Sequence, residues 1–417
     1  MINHLKSFGL YVLFFSLPVL AALKGKGIVI SLIAAFFLVQ GPKTLLLSLK
    51  KVKLNPLHIF SLILFAGISV FFIRDVNDIL PFLRLLLLCT CGAYTVKGAS
   101  ALSPLEKDRF KRVFIKGMVF YTGFMLIECY TGIISFLHAG TVQYNPGLFL
   151  RGVVILTFLS VPFWFALENT KRPKIYQALF VGALCLILLK AQPSAARVAI
   201  IVALTLCTLL HFRHFLKVFF IALALWILSA PFVFLYGLNR THLFSVLHWL
   251  PPSYQHRIQI WEVFAKKIMQ APWIGHGFNS RFIDAEKTDK ICLHYKLNAR
   301  TPNIPQISSD TYPWGKAICF DEAVITTHPH NGALQIWLEG GLLGVGLALC
   351  FLWLLYRLLK DSSPKNQCMY LGVIGLTVVY WNISFGLWQN WMIALVALTI
   401  ALIHTIKGLP KRERTHV

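Results

Sequence analysis

His330 is the side chain in this sequence best placed to move a proton. It stands in residues 326–332 (TTHPHNG), directly before an apolar run that starts at Ala333. Pro329 suits the first turn of a helix, where its missing N–H is not needed, and it biases His328 toward an extended conformation. His330 and Asn331 are then expected in that first turn. A helix N-terminus offers N–H groups and partial positive charge, which attract phosphate and disfavour the imidazolium form. A neutral imidazole beside a phosphate site is what a general base for a hydroxyl nucleophile requires. The plainer alternative is an interfacial histidine that only satisfies backbone groups.

Two arginines are candidates for the phosphate. Arg197 ends residues 192–197 (QPSAAR), between two short apolar runs, and Arg257 lies within residues 253–270 (SYQHRIQIWEVFAKKIMQ). The planar guanidinium fork matches phosphate oxygens better than an ammonium does. Singly, the first reads as an arginine snorkelling at a helix end and the second as a solvated cation. Their placement with His330, outside the plain apolar runs, is what favours a joint role.

These residues have to be positioned by a membrane-embedded frame. The 417 residues are 57% apolar and 13% charged, against about 25% charged in soluble domains, so a water-soluble enzyme is excluded. Candidate spans fall near 7–23, 27–40, 57–73, 79–96, 113–137, 148–167, 175–189, 198–210, 218–236, 332–356, 368–386 and 390–406. Lys and Arg number 22 in one set of alternate connections and 5 in the short loops of the other set. Since positive residues are retained on the cytoplasmic side, both termini are expected there, and the net charge of +24 needs no nucleic-acid partner. The expected fold is therefore an all-α polytopic membrane protein of about twelve transmembrane helices with one large outer loop. Its organisation is residues 1–236 for helices one to nine, 237–331 for the loop, and 332–417 for helices ten to twelve and a cytoplasmic tail.

A loop of that length is normally functional. Within it, Ile258, Trp261, Phe264 and Ile268 recur at helical spacing, and Ser253 can cap the helix they define. A basic helix with a Trp-bearing stripe is expected to lie in the membrane interface. Residues 272–277 (PWIGHG) then turn the chain back. Among ionisable residues inside apolar runs, Arg84, Lys116, Glu128 and Arg151, Arg84 is the most secluded and a candidate for a lipid phosphate. Glu339 is half a turn out of phase with His330 on a continuous helix and is not expected to orient it. Gly340 and Gly344 read as a close-packing pair. Asp284 with Glu286, and Asp321 with Glu322, are weak signals for a divalent ion. With no P-loop, no GxGxxG and no Cys/His ligand spacing, neither metal nor cofactor is expected.

Three stretches carry a resemblance to the bacterial O-antigen ligase family, which it shares with O-antigen polymerases. They are residues 193–197 (PSAAR); Arg257 to Trp261 (R-x-x-x-W) with residues 272–277; and residues 330–341 (HNGALQIWLEGG), similar to the family's H-N … E-x-G pattern. Ala196 stands where the family usually has Gly or Ser beside the arginine. The resemblance implies an inner-membrane glycosyltransferase whose active site faces the periplasm. Its donor would be a glycan on undecaprenyl pyrophosphate and its acceptor a hydroxyl of the lipid A core oligosaccharide. His330 would be the base, and Arg197 and Arg257 would bind pyrophosphate; beside the resemblance, Asn331, His328 and Arg84 stand as supporting candidates from their own positions in the sequence. Trp249, Trp261, Trp273 and Trp314 suit sugar stacking or interface anchoring equally. The competing readings are a polymerase and, from another class, a flippase for lipid-linked saccharide, although the internal repeat expected of a flippase is not found. Cys292 and Cys319 are the two cysteines of the long loop. In an oxidising periplasm they are candidates for a disulfide.

Overall fold

A computed structural model of the chain describes residues 28–30, 33, 73, 78–133, 146–168, 170–191, 194–212, 214–238, 250, 252–280, 291–293, 308–312, 315–320 and 329–407. Expected spans 7–23, 27–40 and 57–73 lie outside these, apart from residues 28–30, 33 and 73. The described chain is mostly helical: α1 (Ile79–Ser100), α2 (Pro104–Thr131), α3 (Pro146–Leu167), α4 (Pro173–Lys190), α5 (Ser194–Leu209), α6 (Phe215–Phe232), α7 (Pro252–Ile268), α8 (Gly332–Lys360), α9 (Pro364–Ile383) and α10 (Asn390–Ile406). Six of them, α1, α2, α3, α4, α6 with its π-helical extension Val233–Gly237, and α8, are long and apolar enough to cross a membrane.

Local sequence explains several boundaries. Ser103 and Glu106 form a reciprocal capping box ahead of α2, with Pro104 in the first turn, and Gly132 ends the helix in the left-handed conformation. The Ser363 side chain caps α9, accepting from the Asn366 amide, again with proline following.

The helices bury two apolar cores. The larger gathers α1 to α5 with α9 and α10 around Phe114, Met118, Tyr121, Phe158 and Tyr380. Within it, the Tyr121 hydroxyl donates to the Gly152 carbonyl at 2.8 Å, and Thr157 and Tyr380 share a hydrogen bond at 2.9 Å, so these buried hydroxyls are satisfied. The smaller core joins α6, α7 and the first part of α8 through Phe234, Phe264, Ile268, Leu334 and Trp337.

That second core corrects the expectation for α7. Ile258, Phe264 and Ile268 are buried against protein rather than laid into a lipid interface. An apolar stripe is satisfied by either environment, and here α6 and α8 supply the cover. The helix starts at Pro252, one residue ahead of Ser253. Arg84, expected to be the most secluded of the ionisable residues, is exposed on α1, whereas Glu128 is buried.

The all-helical expectation has one exception. Residues 291–293 (β1), 308–312 (β2) and 315–320 (β3) form an antiparallel sheet in the order β1-β3-β2. The register sets Cys292 directly opposite Cys319 and Ser308 opposite the same Cys319 from the other side.

A broken helix and the candidate functional site

Helix α8 is not continuous. Gly341 has φ 54° and ψ −150°, a conformation open in practice only to glycine, and it splits a short first segment from the apolar remainder. The backbone groups released by the break are taken up by residues 272–277. The amides of His276 and Gly277 donate to the carbonyls of Leu338 (2.7 Å) and Glu339 (3.0 Å), and those of Leu342 and Leu343 donate to Pro272 (2.8 Å) and Trp273 (3.2 Å). Such close passage needs glycine on both sides of the crossing. A Cβ on Gly341 would lie 2.6 Å from the Gly275 nitrogen, and one on Gly275 would lie 2.5 Å from the Glu339 carbonyl. The close approach expected of Gly340 and Gly344 thus belongs to Gly341, and its partner is a turn rather than another helix. His276 locks the turn from the other side, its Nε2 donating to the Lys267 carbonyl at the end of α7 (2.9 Å).

This crossing fixes the start of α8, where His330 sits. Asn331 is the N-cap, its side chain accepting from the Leu334 amide at 3.1 Å. Pro329 and His330 therefore precede the helix, contrary to the expectation that they begin its first turn. His330 adopts φ 51°, in the left-handed region that a side chain rarely occupies. Two contacts hold it there. The indole of Trp261 on α7 donates to the Pro329 carbonyl (2.8 Å), and His330 Nδ1 donates to the Ser384 carbonyl in the turn between α9 and α10 (2.8 Å). A carbonyl can only accept, so the neutral ring carries its proton on Nδ1 and its lone pair on Nε2. Burial pushes the His330 pKa below the usual histidine value. The Ser384 carbonyl opposes the shift, and the positive charge of Arg257, with that of His256 when it is protonated, adds to it. The balance keeps the ring neutral near pH 7.

Arg257 is therefore an electrostatic neighbour of His330. It is half-buried on α7, its guanidinium 5.6 Å over the Tyr254 ring, and desolvation lowers its very high pKa without discharging it. His256, next to it, is held below the ordinary value by burial first and Arg257 second. Arg197 is placed differently. Its Nε donates to the Leu188 carbonyl (2.9 Å) and its Nη2 to the Leu189 carbonyl (3.3 Å), which closes the end of α4 and orients the guanidinium from behind. Those bonds leave the Nη1 edge for a ligand. No described contact joins Arg197 to His330 or Arg257. His328, Trp249 and Trp314 lie outside the described residues, as do Asp284, Glu286, Asp321 and Glu322. Trp273 is exposed on the crossing turn. Among the described residues no three His, Cys, Asp or Glu gather as metal ligands.

Sequence reasoning did not find a buried polar group next to this histidine. The Glu339 carboxylate accepts from Gln335 Nε2 (2.8 Å), from the Trp388 indole and from the Asn279 amide. Gln335 Oε1 accepts in turn from the Leu387 amide at 2.9 Å. Asn279, itself left-handed at φ 58°, donates from its side chain to Asp78 at the start of α1 (2.6 Å). No described hydrogen bond joins Glu339 to His330, which precedes the helix, but Glu339 grips the turn that carries Ser384.

Residues 178–349 match the model of the O-antigen ligase family, a stretch that contains Arg197, Arg257, the 272–277 turn, His330 and Gly341. The chain is also similar to proteins described provisionally as polysaccharide ligases. The one from Rickettsia prowazekii (strain Madrid E) is 32% identical over 148 residues, and that from Rickettsia typhi (strain ATCC VR-144 / Wilmington) is 31% identical over 148 residues. One from Rickettsia felis (strain ATCC VR-1525 / URRWXCal2) is 32% identical over 149 residues. Each of these matches covers 34% of this chain and 30% of the relative, so the chain aligns with less than a third of the length of those proteins. With its apolar helices the protein is a multi-pass membrane protein, and its residues 178–349 are similar to the O-antigen ligase family.

Proposed function

We propose that this protein transfers an O-antigen glycan from undecaprenyl pyrophosphate to a hydroxyl of the lipid A core oligosaccharide, on the periplasmic side of the inner membrane. In this reading the chain crosses the membrane about twelve times with both termini in the cytoplasm, following the lysine and arginine asymmetry. The acceptor oxygen attacks the anomeric carbon as the bond to the pyrophosphate oxygen breaks. His330 Nε2 takes the acceptor proton, and Arg257, with the outward edge of Arg197, stabilises the charge that develops on the departing pyrophosphate. One displacement with no covalent intermediate inverts the anomeric centre. The reaction needs no nucleotide, metal or other cofactor in this scheme.

The observation that carries the proposal is the His330 ring. Its Nδ1 donates to the Ser384 carbonyl at 2.8 Å, burial lowers its pKa, and the charge of Arg257 acts on it in the same direction, which together support a ring that is free to take a proton on Nε2. The test is transfer from lipid-linked donor to core acceptor by the purified full chain. His330→Ala should lower turnover on the order of 10²- to 10⁴-fold, and His328→Ala should lower it far less. Wild-type turnover declines as pH falls through the depressed His330 value, because only the neutral ring accepts a proton. Full activity of His330→Ala, or equal loss in both variants, overturns the assignment of the base.

A further inference from the structure

The hydrogen-bond chain around Glu339 does something that packing alone does not explain. A carboxylate is costly to bury unless its oxygens are fully used, and those of Glu339 are used to tie three separate segments together. Through the Asn279 amide it holds the turn after the crossing. Through Trp388 directly, and through Gln335 to the Leu387 amide, it holds residues 384–389. That same short turn presents the Ser384 carbonyl to His330 Nδ1. Leu387 also touches the start of α8: a Cβ added to Gly332 would lie 3.0 Å from its Cδ2. The turn is thus clamped close to the carbonyl that sets the histidine.

We propose that Glu339 is the positioning residue for His330, acting through Gln335, Trp388 and the 384–389 turn to keep the Ser384 carbonyl where it orders the imidazole. The proposal rests on His330 being the base. A count of donors and acceptors shows why a carboxylate is required. Among the described residues the cluster offers donors from Gln335 Nε2, Trp388 Nε1, Leu387 N and Asn279 N, and the acceptors that meet them are the two Glu339 oxygens and Gln335 Oε1. Glu339→Gln replaces one oxygen by an amide donor. That donor meets either the Trp388 indole N–H or the Gln335 amide. If Gln335 flips to relieve it, its own donors turn on the Leu387 amide. Either way the turn loses a bond and the Ser384 carbonyl moves.

The experiment compares wild type, Glu339→Gln, Trp388→Phe, the Glu339→Gln/Trp388→Phe double variant and His330→Ala in the transfer assay, with kcat and donor KM read separately and a melting temperature for each. Displacing a positioned group lowers turnover out of proportion to binding, so Glu339→Gln is expected to reduce kcat on the order of 10- to 100-fold with donor KM within about twofold. Trp388→Phe is expected to reduce it less. In the double variant the amide donor introduced by Glu339→Gln no longer faces an indole N–H, so the two losses do not multiply. Wild-type kcat in Glu339→Gln while His330→Ala is inactive overturns the positioning role and leaves the base standing. Full activity of His330→Ala overturns the base, whatever Glu339 does. A Glu339→Gln loss that appears equally in donor KM and melting temperature, or that multiplies with Trp388→Phe, marks Glu339 as structural only and also overturns the proposal.

Discussion

Gly341→Ala tests whether the crossing between residues 272–277 and the break in α8 holds the site together. The added methyl is doubly opposed. At φ 54° and ψ −150° a side chain is strained by about 1–3 kcal/mol. Its Cβ would also lie 2.6 Å from the Gly275 nitrogen and 2.7 Å from the Ile274 nitrogen, both backbone atoms that cannot rotate aside. The turn must lift away, and four backbone hydrogen bonds cross at that point. At a net ~1 kcal/mol each, their loss costs about 4 kcal/mol. Together the terms reach about 5–7 kcal/mol, a large part of the 5–15 kcal/mol by which domains are ordinarily stable.

Gly346, in the same helix beyond the break, is the control, because a Cβ there meets nothing within 4 Å. Gly346→Ala should be neutral or stabilising by up to ~1 kcal/mol, since alanine favours a helix interior over glycine. The measurement is thermal unfolding of each detergent-solubilised protein, with transfer activity at a temperature where all remain folded. Gly341→Ala should melt well below both wild type and Gly346→Ala and should be inactive. If it melts with them and transfers glycan normally, α8 runs unbroken through residue 341 and the crossing is not what places His330.

The two arginines should separate. Arg257→Lys keeps the charge beside His330 but loses the planar fork, so turnover should fall on the order of tenfold or more with little change in melting temperature. Arg197→Lys cannot reproduce the Nε bond to the Leu188 carbonyl, so a stability loss of ~1 kcal/mol should accompany its activity loss; melting curves and turnover for the pair decide the matter, and wild-type rates in both would make them surface cations. Cys292 and Cys319 are opposite one another in the β1 and β3 register, and in an oxidising periplasm the pair is expected to be joined as a disulfide. The bond would close a loop of about 27 residues, worth ~3 kcal/mol in the chain-entropy model. Mass spectrometry of alkylated, non-reduced protein should find the two peptides joined, and alkylation of both thiols without prior reduction refutes the disulfide.

What the sequence left unread follows from how each feature is made. Expected spans such as 79–96, 175–189 and 390–406 fall within or onto observed helices because hydropathy and proline or glycine boundaries are local properties. His330 and Arg257 could be nominated from the sequence because an imidazole and a guanidinium are themselves candidates for the proposed chemistry. The break at Gly341 was not, since the apolar pattern runs through it unaltered and the groups that satisfy the broken backbone come from a turn more than sixty residues earlier. An isolated look at residues 332–360 finds only a good helix with glycines in it. The stripe of α7 was misassigned for a related reason: a Trp-bearing apolar face reads the same whether lipid or protein covers it. The partner of His330 was invisible in principle. It is a backbone carbonyl, which every residue possesses, and what makes the Ser384 carbonyl particular is the turn held in place by Glu339, Gln335 and Trp388. Those three side chains were visible as letters, and Glu339 was set aside on helical phase. The phase argument assumed a His330 on the helix, which it precedes, and a carboxylate buried in an apolar helix still has to be satisfied by something. Asking where its donors lie, rather than whether it touches the base, leads to the turn.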